Sequence, residues 1–123
     1  MILMVDGPKV ISKEVSKEKF TLKVSGIFLE NGIIFLFTDS NFRFGSISVA
    51  IPTTTTPLAS ASLFPTLGGR DEFISKLLSE RLSELSGRTV ISIVSFSSYD
   101  KEKVALSLRL SREIIEEARG EKV

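Results

Sequence analysis

A chain of 123 residues has the size of one domain and is long enough to bury a core without disulfides or a metal. It contains no histidine, cysteine or tryptophan, which removes the usual proton shuttle and the usual thiol nucleophile and favours a protein that binds over one that reacts. Its 16 basic and 15 acidic residues leave a net charge of +1, without the basic excess of a nucleic-acid binder.

Residues 1–5 are apolar, but Asp6 ends the run before it reaches the length of a signal segment. No stretch approaches the roughly 18 apolar residues of a membrane span, so the chain is expected in the cytoplasm, off the membrane. Residues 9–16 read as a weak, edge-type strand. Lys13, Lys17, Lys19 and Lys23 cluster there, but Glu14 and Glu18 interleave with them, as on a solvated strand or hairpin. Phe20, Leu22, Val24 and Phe28 then share one face of a half-buried strand. Asn31-Gly32 between apolar runs predicts a tight hairpin, because both residues accept positive φ. Residues 33–37 are continuously apolar, a strand that must be covered on both faces. Asp39-Ser40-Asn41 turns the chain, and Ile47, Val49 and Ile51 alternate with Ser46, Ser48 and Ala50 in a further strand. Residues 20–51 therefore read as an antiparallel meander.

Pro52, Thr53, Thr54, Thr55, Thr56, Pro57, Leu58, Ala59 and Ser60 break the pattern and read as a loop, since two prolines deny donors to any ladder. A short strand is expected near residues 61–64. Asp71 stands where a helix N-cap is wanted, and Gly87 stops the helix 71–86. Ile74, Leu77, Leu78, Leu82 and Leu85 form its apolar side. Ser75, Ser79, Ser83 and Ser86 line a neighbouring stripe. They are expected to face water, the alternative being a close helix approach over small residues. Residues 89–96 form a strand apolar on both faces. Asp100 caps a last helix running to about Arg119, with one stripe of Val104, Leu108, Ile115 and Ala118 and a second of Leu106, Leu110 and Ile114. The two stripes and the doubly apolar strands 33–37 and 90–94 exceed what one small domain covers. A homodimer is expected, with Leu106, Leu110 and Ile114 at its interface. The fold class that follows is α+β: a single domain over 1–123, with a mainly antiparallel sheet of about six strands and two helices in the C-terminal half.

The chain carries little recognisable catalytic chemistry. Gly68-Gly69-Arg70 before a helix reads as turn glycines rather than an anion site. Ser16 and Lys19 have a serine–lysine spacing but no companion motif. Asp6, Asp39, Asp71 and Asp100 lie at turns and helix starts, so no acid–base pair and no oxygen-ligand metal site is visible. No catalytic residue, metal or cofactor is expected.

The order of segments carries more. Val10-Ile11-Ser12-Lys13 opens the first strand, residues 33–38 form an apolar strand ending in Thr, and Gly45-Ser46-Ile47 starts the next. A Pro/Ser/Thr-rich loop follows, then Leu67-Gly68-Gly69-Arg70-Asp71-Glu72 at a helix entry, Gly87-Arg88-Thr89-Val90 turning into the last strand, and Asp100-Lys101 before the final helix. In this joint order, over about residues 9–118, the chain resembles proteasome assembly chaperone subunit three, which pairs with subunit four. The threonine-rich, uncharged loop departs from that pattern. The absence of Cys and Gln, with only Asn31 and Asn41 as asparagines, suggests a thermophile and an archaeal relative. Such a relative could form a homodimer where eukaryotes pair two different chains, the alternative being a heterodimer with a related chaperone.

The resemblance implies a chaperone that guides α-subunits of the 20S proteasome into their ring by binding alone and then leaves. It also implies that the loop 52–60 is a flexible finger that orders against an α-subunit, the alternative being a connector with no role of its own. Two other readings compete. One is a small dimeric regulatory scaffold, profilin-like or roadblock-like, that docks another protein; such folds usually open with a helix, whereas the first convincing helix here starts at residue 71. The other is an enzyme using Ser, Lys or carboxylates, which the residue inventory disfavours.

Overall fold

The computed structural model describes residues 2–4, 7–52, 59–63, 72–98 and 100–120, with 59–63 and 72 described through the backbone only. Six strands form one sheet of order β1-β2-β3-β6-β4-β5: β1 (Lys9–Ser16), β2 (Thr21–Leu29), β3 (Gly32–Thr38), β4 (Ser46–Ile51), β5 (Ala59–Leu63) and β6 (Thr89–Ser95). Helix α1 (Glu72–Ser86) precedes β6 and helix α2 (Lys101–Ala118) follows it. The fold is α+β, with both helices in the C-terminal half.

Strands β2 and β3 form the first part of the antiparallel meander expected over 20–51, and β1 adds to β2 as the expected edge strand. The meander stops there. β3 pairs in parallel with β6, and β4 joins the far side of β6 in antiparallel register. The expected continuation from β3 to β4 is therefore wrong: β6, arriving about forty residues later in sequence, inserts between them. Consecutive strands give no local signal of such an insertion, because the pairing is decided by non-local contacts.

The β2–β3 hairpin also differs in detail. Leu29 pairs with Gly32, so the two turn residues are Glu30 and Asn31, and Gly32 already belongs to β3. Its φ is not positive. Gly32 is required by proximity instead, since a Cβ there would stand 2.8 Å from the carbonyl oxygen of Thr89 on β6. Gly87 does take the positive φ of a helix-terminating glycine, and its N–H donates to Ser83 O at 2.8 Å. Asp100 caps α2 as expected, accepting from the N–H of Glu102.

Both helices cover one face of the sheet. The core is built from Leu22 and Val24 of β2, Phe35 and Phe37 of β3, Val90 and Val94 of β6, and the inward sides of the helices. Phe35 and Phe37 stack at 5.9 Å, and Phe28 meets Phe35 edge-on at 6.4 Å. Leu106, Leu110 and Ile114 lie in this core, 9, 8 and 0% exposed. The stripe assigned to a dimer interface is thus consumed inside the chain. The i, i+4, i+8 spacing is satisfied by the sheet beneath α2, and a partner is not required to bury it.

The serine stripe of α1 faces inward. Ser75, Ser79 and Ser83 are fully buried, against the expectation that they meet water. The Ser75 hydroxyl donates to the carbonyls of Ser46 and Ser92, and that of Ser79 to Ser48 O at 3.1 Å. Small side chains bring the helix down onto β4 and β6, and short hydroxyls satisfy themselves on strand carbonyls at that range. This packing inverts β4: Ser46, Ser48 and Ala50 point to the core, and Ile47, Val49 and Ile51 point to the other face. Gly45 serves the same close fit, since a Cβ there would collide with the Val94 carbonyl.

Candidate interaction surface

The face of the sheet away from the helices carries one apolar row and a second that is apolar over β3, β6 and β4, both set by strand register. Val10, Ile27, Ile34, Ile91 and Val49 are successive partners across β1, β2, β3, β6 and β4. In the next row stand Ser12, Ser25, Leu36, Ile93 and Ile47. Paired residues share a face, and alternation puts their strand neighbours in the core. The isoleucines, Leu36 and Val49 are only half-buried, while Val10 and Ile51 are more than half exposed. β3 and β6 are apolar on both faces, as the sequence pattern requires. The chain's own helices cover only one of those faces.

The connection 39–45 borders this surface. Phe42 and Phe44 are 47 and 70% exposed, and with Leu36, Arg43 and Ile93 they line a depression of about 240 Å³. Phe42 also borders a smaller one, of about 160 Å³, with Ser12, Lys13, Glu14 and Lys23. Apolar residues therefore hold the middle of the face, and Lys23, Glu14 and Arg43 stand at its margin, the arrangement of an interface core with a polar rim.

A buried ion pair fixes the base of that connection. Lys103 Nζ lies 2.5 Å from Asp39 Oδ2, and both side chains are almost inaccessible. The ammonium also donates to the carbonyl and hydroxyl of Ser98 and sits over the rings of Phe20 and Phe96. Asp39 accepts from the N–H and hydroxyl of Ser97. Burial works against its charged form. The hydrogen bonds from Lys103 and Ser97 and the Lys103 charge outweigh that and hold the carboxyl below its ordinary value. Thr38, the last residue of β3, donates to Ser95 O and Asn41 O, so the turn is tied to β6 as well. No local pattern signals the pair, since its members are 64 residues apart and each looks like an ordinary surface charge.

The other residues singled out from the sequence fare differently. Of the proposed partner loop, Pro52 is half-buried, while Thr53, Thr54, Thr55, Thr56, Pro57 and Leu58 lie outside the described residues, as do Gly68, Gly69, Arg70 and Asp71. Ala59 and Ser60 are strand rather than loop, pairing with Ile51 and Ala50. Their small size and the nearby prolines hid a strand whose pairing with β4 is what holds it. Ser16 hydrogen-bonds Thr21 across the β1–β2 end. Among the described residues no cluster of three acidic, His or Cys side chains is placed to hold a metal, and no helix is long and apolar enough to cross a membrane.

No protein-family model matches the chain, and no curated protein matches it in sequence. Among solved structures, it is similar to a chain of the crystal structure of a novel chaperone complex for yeast 20S proteasome assembly. The TM-score is 0.67 at 16% identity, over 88% of this chain and 94% of that one. At this identity the likeness is one of fold.

Proposed function

We propose that this chain is a non-enzymatic assembly chaperone of the 20S proteasome, binding α-subunits transiently in the cytoplasm while their ring forms, and that it works as a homodimer. The observation that carries the reading is the fold shared, nearly end to end, with a component of a yeast proteasome assembly chaperone complex. The apolar face that no described residue covers agrees with the dimer, because an apolar surface of this size marks a protein–protein contact.

The uncovered face is the natural dimer surface, in place of α2. Six strands at ~4.8 Å spacing and ~20 Å length give a footprint of roughly 550 Å², and pleat and side chains raise the accessible area toward the ~800 Å² per partner of a standard interface. A two-fold pair lays Leu36 and Ile93 of one copy against the same rows of the other, as two sheets pack in a sandwich. The helices then remain on the outside, and the segment 52–58 is the α-subunit contact in this reading.

The test is mixing with recombinant α-subunits followed by native electrophoresis. A complex that forms with free α-subunits and is absent from finished α-rings supports the reading. Replacing residues 53–56 by a Gly-Ser linker should leave the melting temperature nearly unchanged and weaken α-subunit binding several-fold. Failure of the wild type to bind any α-subunit would refute the chaperone assignment.

A further inference from the structure

A second site lies at the other end of the sheet, away from the Asp39–Lys103 pair. There the starts of β1, β3 and β6 meet the C-terminal ends of both helices around a pocket of about 160 Å³. Its floor is apolar: Phe28, Ile33, Ile115 and Ala118. Its wall is cationic: Lys9, Arg88 and Arg119, with no carboxylate among the described residues of the lining. None of the three cations has a carboxylate partner among the described residues, whose ion pairs join Lys13, Lys17, Lys103 and Arg109 to acids elsewhere.

Each cation is held in place from behind. Arg88 Nη2 donates to the carbonyls of Leu29 and Glu30 at the β2–β3 turn. Arg119 Nη2 donates to Leu85 O and Ser86 O at the end of α1, and Lys9 Nζ to Ala118 O at the end of α2. These contacts satisfy helix-end carbonyls and offset the negative ends of two helix dipoles. They use one nitrogen of each guanidinium. Nε and Nη1 of both arginines have no hydrogen bond among the described residues, and a lysine ammonium has two further protons to give. Three positive charges exceed the roughly half-charge at each helix end, so the described lining is net positive over an apolar floor.

We infer that this pocket binds an aliphatic carboxylate, with the carboxyl held by Lys9, Arg88 and Arg119 and a short apolar group resting on Phe28, Ile33 and Ile115. A cavity of about 150 Å³ takes a ligand the size of benzene, so the volume suits one leucine-sized group and its carboxylate. Carboxylate capture by fixed guanidiniums is directional, and this selects a carboxylate over an amide of the same shape. The chemistry is shared by the C-terminal residue of a peptide and by a free short-chain acid. The inference stands on the pocket alone and does not depend on the proposed chaperone role.

The experiment is a titration followed by amide and methyl NMR on the intact protein, using N-acetyl-Gly-Gly-Leu, its C-terminal amide, and 4-methylpentanoate. Saturable shifts at Ile33, Ile115 and Ala118 are expected with the free carboxylates, and at least tenfold weaker binding with the amide. Tighter binding of the peptide than of the free acid assigns the site to chain ends; binding of the free acid as well or better assigns it to small acids, and either result sustains the carboxylate site. Lys9→Gln and Arg119→Gln, both at exposed positions, should keep the wild-type spectrum elsewhere and weaken binding about tenfold each, as removal of a charged hydrogen bond does. Shifts of equal size with acid and amide, or none at these residues at millimolar ligand, would overturn the inference.

Discussion

Lys103 shows what one residue does for the interaction face. It lies in the first turn of α2, 2% exposed, and a buried ammonium survives only with full compensation. Asp39, the Ser98 oxygens and two phenylalanine rings supply it. Lys103→Met should therefore cost about 3–5 kcal/mol, because it strands the Asp39 carboxylate in a dry site. Denaturant unfolding measures this, and the double variant Lys103→Met/Asp39→Asn should recover part of the loss. The same pair sets an acid limit. The Asp39 carboxyl is held below its ordinary value in the folded state, so folded protein binds its proton less readily than unfolded chain. The pair's stabilisation is complete above the ordinary carboxylate pKa of ~3.9 and is lost as pH falls from there through the lower folded value. A plot of unfolding free energy against pH should drop over that window in the wild type and lose that component of the slope in Asp39→Asn. The Phe42 and Phe44 resonances should shift in the same acid window, since the pair anchors the connection that carries them.

At the scale of elements, α1 sits on β4 and β6 through hydroxyls and small volumes. Ser79→Ala should cost about 1 kcal/mol, the net value of its bond to Ser48 O, and Ser79→Leu about 1–3 kcal/mol by wedging the helix off the sheet. Ser92 is the informative contrast: its hydroxyl is fully buried with no hydrogen-bond partner, so Ser92→Ala should be neutral or stabilising in the same denaturant assay. This interface marks the boundary of what the sequence could tell. Both helices, the Gly87 stop, the Asp100 cap and the β2–β3 hairpin were legible because period, cap and turn residues act locally. A serine stripe at helical spacing has the same composition whether it meets water or a close-packed strand, and only the opposing residues decide. The opposing residues here are themselves serines, on the side of β4 that its alternation with isoleucine suggests should face out. For the candidate site the excess apolar surface of 33–37 and 90–94 was readable. Its location was not, because the insertion of β6 between β3 and β4 is what gathers Leu36, Ile93 and Ile47 into one row.

The described residues form a two-layer unit, helices on one side and an apolar face on the other that none of them covers, and most β-sheets with such a face bury it. The dimer proposal turns on that asymmetry and separates cleanly from effects on folding. Leu110 and Ile114 are core residues, so Leu110→Asp or Ile114→Asp should unfold the chain whatever its oligomeric state. Leu36 and Ile93 are half-buried on the open face. Leu36→Glu/Ile93→Glu sets like charges against one another across a two-fold axis while leaving the helix-covered core untouched. In sedimentation velocity at micromolar concentration the wild type should run as a dimer. The double variant should run as a monomer, with its far-ultraviolet circular dichroism retained and its melting temperature no longer dependent on concentration. A wild type that stays a well-folded monomer at these concentrations would leave the open face to a different chain. A dimer undisturbed by both glutamates would move the contact elsewhere, and the edges of the sheet at β1 and β5 would be the next surfaces to test.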